Sequence, residues 1–411
     1  MTRIEARPIS IPKLQAQPLT TTASGTLQRS ASVARAWQTQ AGGIPNRFWF
    51  DMLGKMSTQD KVREVLIGEV DSSQPYTGSG IYFGDHMKAL KNGEQPSFAQ
   101  ASKQFGAYTT SELNSADQEG GAIDRFKQAG YAPMPAAEDI AKMSPAEIRQ
   151  LARDQADHAR ALNVRMIYAP VLDHQSTDKG DPALFSNWDG KKNLDAYDPR
   201  KENSRRYGAD SATIERTATL YLEAFKGRTR EIQDEIRQQT GDPKAKFDVL
   251  VVAKHFPGES HPVDSDDAQI HETRSEADLR ASADVFAHLK QKGLIDAVMI
   301  SNNVYDALGE GAGITNKKLV GWATDMGLPT TTDDTALPRR IKAGDDIGKL
   351  AVDAFDAGNT FIMVCDGGKI RQQVENALVQ HVEDHPELKP LLDRRVAQIL
   401  QMKNQAGLIS R

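Results

Sequence analysis

From Arg47 onward, eight short apolar segments recur between helical patterns, and nearly every one runs into polar side chains where it stops. They are VLIGEV, GIYFGD, ELNSADQ, VRMIYAPVLD, VLVVAKH, AVMISNN, PTTTDD and TFIMVCDGG, separated by helical stretches such as 146–162 and 211–239. Strands that alternate with helices pair in parallel, because a helical crossover returns the chain to start the next strand at the same end of the sheet. Eight such units predict an α/β fold of the (β/α)8 TIM-like barrel type, with a doubly wound sheet as the alternative. No GxGxxG follows a strand and no GxxxxGKS occurs, so the usual phosphate-binding signals of nucleotide folds are missing. Two helix starts carry capping signatures, at Ser57-Thr58-Gln59-Asp60 and at Ser144-Pro145-Ala146-Glu147 with Pro at the first helical position.

Chemistry concentrates after the fifth segment. The run Val249 to Ala253 reads as a strand buried on both faces. It ends in Lys254 and His255, Pro257-Gly258 breaks it, and Glu259, His261, Asp264, Asp266 and Asp267 follow. In a β/α barrel the loops after the strands build the active site, so a charged cluster at a strand's C-terminal end points to catalysis; the bland reading is a solvated acidic loop. The other segments end similarly, on Asp117, Gln118 and Glu119, on Asp173 and His174, on Asn302 and Asn303, on Asp333 and Asp334, and on Asp366. Singly these are turn or cap residues. Together they form an acidic, hydrogen-bonding rim suited to a polyhydroxylated substrate. His261, Asp264, Asp266 and His271 could instead hold a metal, but their spacing matches no standard zinc or calcium pattern, and neither metal nor cofactor is expected.

Composition narrows the class further. With 26% charged residues and a formal net charge of -5, nothing favours nucleic acid as a partner. No run approaches the 18 or so apolar residues of a membrane span, and no signal-peptide run opens the chain. A cytoplasmic protein, or one exported without a cleaved signal, is expected. The single cysteine, Cys365, cannot form an internal disulfide and reads as a buried core thiol. Residues 1–43 are rich in Ser, Thr, Gln, Ala and Arg and hold one acidic residue, Glu5. They read as a disordered polar extension, compositionally similar to the N-termini of bacterial type III effectors, ahead of a folded unit at 44–411.

The segments ADQEGGAIDRF (116–126), MPAAEDI (134–140), YAPVLD (168–173), KHFPG (254–258), VDSD (263–266), TTDD (331–334) and DAGNTFIMVCDG (356–367) occur in a telling order. Over about residues 50–400 the chain resembles the family 3 glycoside hydrolases, and most closely the single-barrel bacterial β-N-acetylglucosaminidases. The resemblance implies a retaining double displacement, in which a carboxylate attacks the anomeric carbon while an acid protonates the leaving oxygen. It puts the nucleophile on Asp333 and sugar-binding roles on Asp117, Arg125, Arg205, Lys254 and His255, with a carbohydrate as partner and a monomeric enzyme expected.

The chain departs from the family pattern where the acid/base should be. The resemblance expects a His two residues after the Asp of a DSH motif, whereas the chain has Asp264-Ser265-Asp266. The loop is about one residue shorter, with Glu259-Ser260 where His-Gly is usual, and Asn302 or Asn303 stands for a usual His. Position favours Asp266 as the acid, whose carboxyl starts near pKa 3.9. Chemistry favours His261, whose imidazole titrates near neutrality. A sugar-binding barrel that has lost turnover is the alternative to an enzyme.

Overall fold

A computed structural model describes residues 51–176, 185–186, 203–261, 269–309, 311–366 and 368–410. The expected polar extension at 1–43, and the candidate residues Asp264 and Asp266, lie outside the described residues.

The chain enters through helix α1 (Thr58–Val65), whose capping box at Ser57 and Asp60 is formed as the sequence signals. Eight strands follow: β1 (Leu66–Glu69), β2 (Ser79–Ile81), β3 (Leu113–Ala116), β4 (Met166–Val171), β5 (Leu250–Phe256), β6 (Ala297–Ile300), β7 (Thr330–Thr332) and β8 (Ile362–Val364). Each of β1 to β6 pairs in parallel with the next strand, and β8 pairs in parallel with β1. A parallel bridge between Thr331 and Phe361 joins β7 to the segment leading into β8, so the eight-stranded sheet nearly closes on itself. This is the barrel that the eightfold alternation predicts, and it removes the doubly wound alternative, which leaves two free edges.

Burial explains the composition of the strands. β4, β5 and β6 are covered on both faces, which is why they are near-continuous apolar runs. β2 and β7 are polar in sequence yet equally buried, because their hydroxyls bond within the sheet. Ser79 Oγ donates to Leu113 O at 2.8 Å, and Ser115 Oγ donates to Gly80 O at 2.9 Å.

Helices cover the outside: α2 (Pro145–Ala161), α3 (Ser211–Thr240), α4 (Glu276–Gln291), α5 (Lys317–Asp325), α6 (Ile347–Ala357), α7 (Lys369–Asp384) and α8 (Lys389–Gln405). α2 opens at the Ser144 capping box, and α3 is capped by Asp210 and ends at Gly241 in the left-handed region. The apolar stripe of α2, with Ile148, Ala152 and Ala156, packs into the core alongside Ile214, Ala218 and Phe225 of α3. No helix among the described residues is long and apolar enough to cross a membrane. Residues 51–411 form one compact unit.

Candidate active site

The ends of the barrel strands converge on a cavity of about 190 Å³ lined by Asp117, Glu119, Arg125, Asp173, Arg205, Arg206, Lys254, His255, Glu259, Asp333 and Asp334, among others. The strands' C-terminal ends supply most of it: Asp117 follows β3, Asp173 follows β4, Lys254 and His255 close β5, and Asp333 follows β7. A volume below the range of drug-sized pockets suits a ligand portion the size of one sugar ring.

Lys254 and His255 are consecutive, so in a regular strand they would point to opposite faces. Both line the cavity because the pairing of β5 with β4 and with β6 shifts register between Val252 and Phe256. Lys254 Nζ reaches Asp117 Oδ1 and Glu119 Oε1, each at 2.6 Å. Glu119 in turn accepts from Arg205 Nε at 2.8 Å and Nη2 at 3.1 Å, and Arg125 stands 3.9 Å from Asp117. Charges therefore alternate along one wall, from Arg125 through Asp117, Lys254 and Glu119 to Arg205. Burial alone would raise the Glu119 carboxyl, but Arg205 and Lys254 outweigh it and hold Glu119 well below the usual carboxylate range. Burial alone would lower Lys254, yet Asp117 and Glu119 hold its ammonium above the ordinary lysine value.

Glu119 is set by a tight hairpin, Gln118–Gly120 against Ile123–Asp124. Gly120 sits at φ 90°, and a Cβ there would lie 2.2 Å from Pro135 O, so the QEGG sequence needs glycine at that point.

A second group surrounds the imidazole. Asp173 accepts from His255 Nδ1 at 2.7 Å, from the His255 backbone N–H at 3.0 Å and from that of Glu259 at 2.9 Å. Burial would lower His255, but Asp173, Glu259 and Asp333 outweigh it and push the imidazole up to about 9. It is thus a donor at neutral pH with Nδ1 committed to Asp173. Asp173 itself is held far below the ordinary range, its burial overcome by His255 and Arg206.

Asp333 and Asp334 are distinguished by their bonds. Asp334 Oδ1 accepts from Ala336 N at 2.9 Å and Cys365 N at 3.0 Å, so it ties the ends of β7 and β8 together. Burial first, and then the neighbouring Asp333, push Asp334 up to about 6. Asp333 Oδ1 takes one local bond, from the Asp334 N–H at 2.8 Å.

All five sequence-expected sugar ligands, Asp117, Arg125, Arg205, Lys254 and His255, thus line the same cavity as Asp333. His261 does not: it is buried beside Glu272 and Arg274, off the cavity wall, and its burial lowers the imidazole from its usual value. Cys365 corrects an expectation, since it is half-buried and lines the cavity instead of the core. Asn302 binds Arg340 Nη2 through Oδ1 at 3.0 Å and donates to Asp334 O at 3.1 Å, a supporting role behind the wall. Four wall residues had no role assigned from sequence: Glu119, Asp173, Arg206 and Glu259. The first two stand in QEGG and YAPVLD at strand ends, where the signal was present. Arg206 and Glu259 depend on loop paths that no local pattern encodes.

Comparison with known proteins agrees with the barrel fold. No family model matches the chain. A beta-hexosaminidase of Mycobacterium tuberculosis, LpqI, is 28% identical over 145 residues, which is 35% of this chain and 28% of that protein. The matched part therefore spans under a third of the curated relative. Among solved structures, a beta-N-acetylhexosaminidase from Beutenbergia cavernae superposes at TM-score 0.63 with 19% identity, covering 85% of this chain and 98% of that one. A glycoside hydrolase family 3 beta-N-acetylglucosaminidase from Paenibacillus superposes at 0.62 with 20% identity, covering 86% and 63%. The chain resembles the family 3 glycoside hydrolases. At these identities the structural likeness establishes the barrel, and the chemistry must be argued from the cavity.

Proposed function

We propose that the chain hydrolyses O-glycosidic bonds, removing a terminal β-linked N-acetylglucosamine or a related β-sugar by a retaining mechanism with Asp333 as nucleophile, and that residues 44–411 are its catalytic domain. The observation that carries this reading is the convergence of Asp333 with Asp117, Arg125, Arg205, Lys254 and His255 on one small cavity at the C-terminal end of the barrel. Carboxylates and cationic donors in alternation bind sugar hydroxyls in pairs, because each hydroxyl both donates and accepts. His255, protonated near neutrality, offers a strong hydrogen bond to a sugar oxygen and places a positive charge beside Asp333.

In the first step Asp333 attacks the anomeric carbon and the aglycone departs with a proton. In the second, water displaces Asp333 and the configuration is retained. The test is incubation with a fluorinated, slow-turnover β-glycoside followed by peptide mapping. A covalent label on Asp333 is expected, together with cleavage of aryl β-N-acetylglucosaminide or aryl β-glucoside by the wild type. A label on Asp334 or Asp306, or full activity in Asp333→Ala, would refute the assignment.

A further inference from the structure

We propose that Glu259 supplies the acid and base of this site, protonating the leaving oxygen and then taking a proton from the attacking water. The assignment rests on the retaining glycosidase reading above. Its first support is the path of the loop. Gly258, at φ 106°, turns the chain back over the barrel mouth, where its N–H bonds His255 O at 2.7 Å. The Glu259 N–H is then anchored on Asp173. The side chain, 6% exposed, lies on the cavity wall and accepts from Ser301 Oγ at 2.5 Å.

That hydrogen bond fixes Glu259 relative to the nucleophile. Ile300 of β6 pairs with Thr332 of β7, so Ser301 and Asp333 are the next residues on two adjacent strands. The Asp333 N–H donates to Ile300 O at 3.1 Å, which holds those ends together. Neighbouring strands run about 4.8 Å apart, so the bond to Ser301 holds the Glu259 carboxyl on the strand next to that of Asp333, where a retaining pair needs about 5 to 5.5 Å between carboxyl groups.

The surroundings give Glu259 the right proton affinity. Burial and Asp173 raise its carboxyl, while His255, Ser301 and Arg206 oppose them, leaving it at about 7. Tyr305 is the other titratable neighbour, and Glu259 contributes to raising its phenol. Such a group holds a proton for the first half of the reaction and gives up the site for the second. Other described groups of the loop do not compete, since His261 sits off the wall beside Glu272 and Arg274, and His271 pairs with Asp306 at 3.0 Å on the exposed side.

The electron count closes in both halves. Asp333 forms an ester bond to the anomeric carbon as the carbon–oxygen bond to the aglycone breaks, and that oxygen takes the Glu259 proton. Water oxygen then bonds the anomeric carbon, its proton passes to the Glu259 carboxylate, and the ester electron pair returns to Asp333.

The experiment compares wild type, Glu259→Gln and Asp266→Asn of the full chain on a dinitrophenyl glycoside and on an unactivated alkyl glycoside. Glu259→Gln is expected to keep kcat/KM on the activated substrate within about 10-fold, with turnover limited by the slowed second step, and to lose roughly 10³-fold in kcat/KM on the unactivated one. Added azide should restore its turnover and yield the β-glycosyl azide. Ser301→Ala, which removes a bond favouring the ionised carboxyl, should move the alkaline limb of kcat/KM upward; a merely structural Glu259 would leave that limb in place. Azide rescue in Asp266→Asn instead, or a Glu259→Gln enzyme that follows wild type on the alkyl glycoside, overturns the proposal. If Asp333 is labelled while Glu259→Gln behaves as wild type, this inference alone falls. If the wild type neither cleaves nor labels, the glycosidase reading falls with it.

Discussion

At Lys254 one side chain holds two carboxylates, Asp117 and Glu119, in place against the cavity. Lys254→Met keeps most of the volume and removes the charge, so Asp117 and Glu119 lose their shared partner while Glu119 retains Arg205. Truncating one member of a buried charged pair costs on the order of 2 to 5 kcal/mol in binding. We expect binding of a product-like inhibitor sugar to weaken by about 30-fold or more, measured calorimetrically on folded protein. Unchanged affinity would remove Lys254 from the sugar site. Asp333→Ala, by contrast, should abolish turnover, by roughly 10³-fold or more. It should melt within about 2 °C of wild type, because loss of an active-site carboxylate costs catalysis more than stability. A variant that unfolds, or one that still turns over at wild-type rate, would contradict a purely catalytic role. The remaining wall residues divide along the same line: Asp334 is bound to two backbone amides, whereas Asp333 meets the cavity.

At the scale of elements the two ends of the barrel do different work. At the end opposite the cavity, Lys226 of α3 is buried and bonds Asp248 at 2.9 Å, just before β5, and Asp296 at 2.7 Å, just before β6. Gln405, at the end of α8, reaches the same two carboxylates at 2.7 and 2.9 Å. Lys226→Met would strand half-buried carboxylates and is expected to cost about 3 kcal/mol, softened by Gln405. It should leave kcat per folded molecule unchanged, since residues at this end govern stability. Urea denaturation and active-site titration together check this; a fall in kcat with intact stability would contradict it. This division also explains what the sequence could reveal. The eight strands, α2 and α3, and both capping boxes were legible because apolar period and cap chemistry are local. The five expected sugar ligands and Asp333 were reached through family-like segments; Asp117, Lys254, His255 and Asp333 sit at strand ends that the barrel brings together, whereas Arg125 opens a short helix and Arg205 precedes α3. Glu259 stood in the charged loop after β5 without a role of its own, and Arg206 was not singled out, because their positions depend on the turn at Gly258 and on the chain entering α3, which no periodicity records. His261 looked the better acid by intrinsic chemistry, but the loop turns it toward Glu272 and Arg274.

For the whole molecule, these buried groups set a pH dependence of stability with a definite sign. Burial raises Glu259 to about 7, Glu112 to about 7 and Asp334 to about 6. In the unfolded chain such carboxyls titrate near 4.3 and 3.9. Between about pH 5 and 7 the folded state therefore binds more protons than the unfolded state, and stability falls as pH rises, by about 1.4 kcal/mol per pH unit for each group still protonated when folded. His255 continues the trend: its value of about 9 lies above the ordinary 6.5, so its contribution is full below about 6.5 and is lost as pH rises through about 9. Asp173 and Glu119 act in the opposite sense, because their depressed carboxyls contribute above about pH 4 and lose that contribution only in acid. The two sets leave maximal stability near pH 5. Thermal melts from pH 4.5 to 9 should show Tm highest near pH 5 and falling by several degrees at pH 8.5. Glu112→Gln should flatten the slope without touching the cavity, as Glu112 accepts from Tyr82 and Phe98 away from the site. A Tm that stays level or climbs between pH 5.5 and 8.5 would mean that these carboxyls are ionised in the folded barrel, and Glu259 could then no longer hold the proton its catalytic role requires.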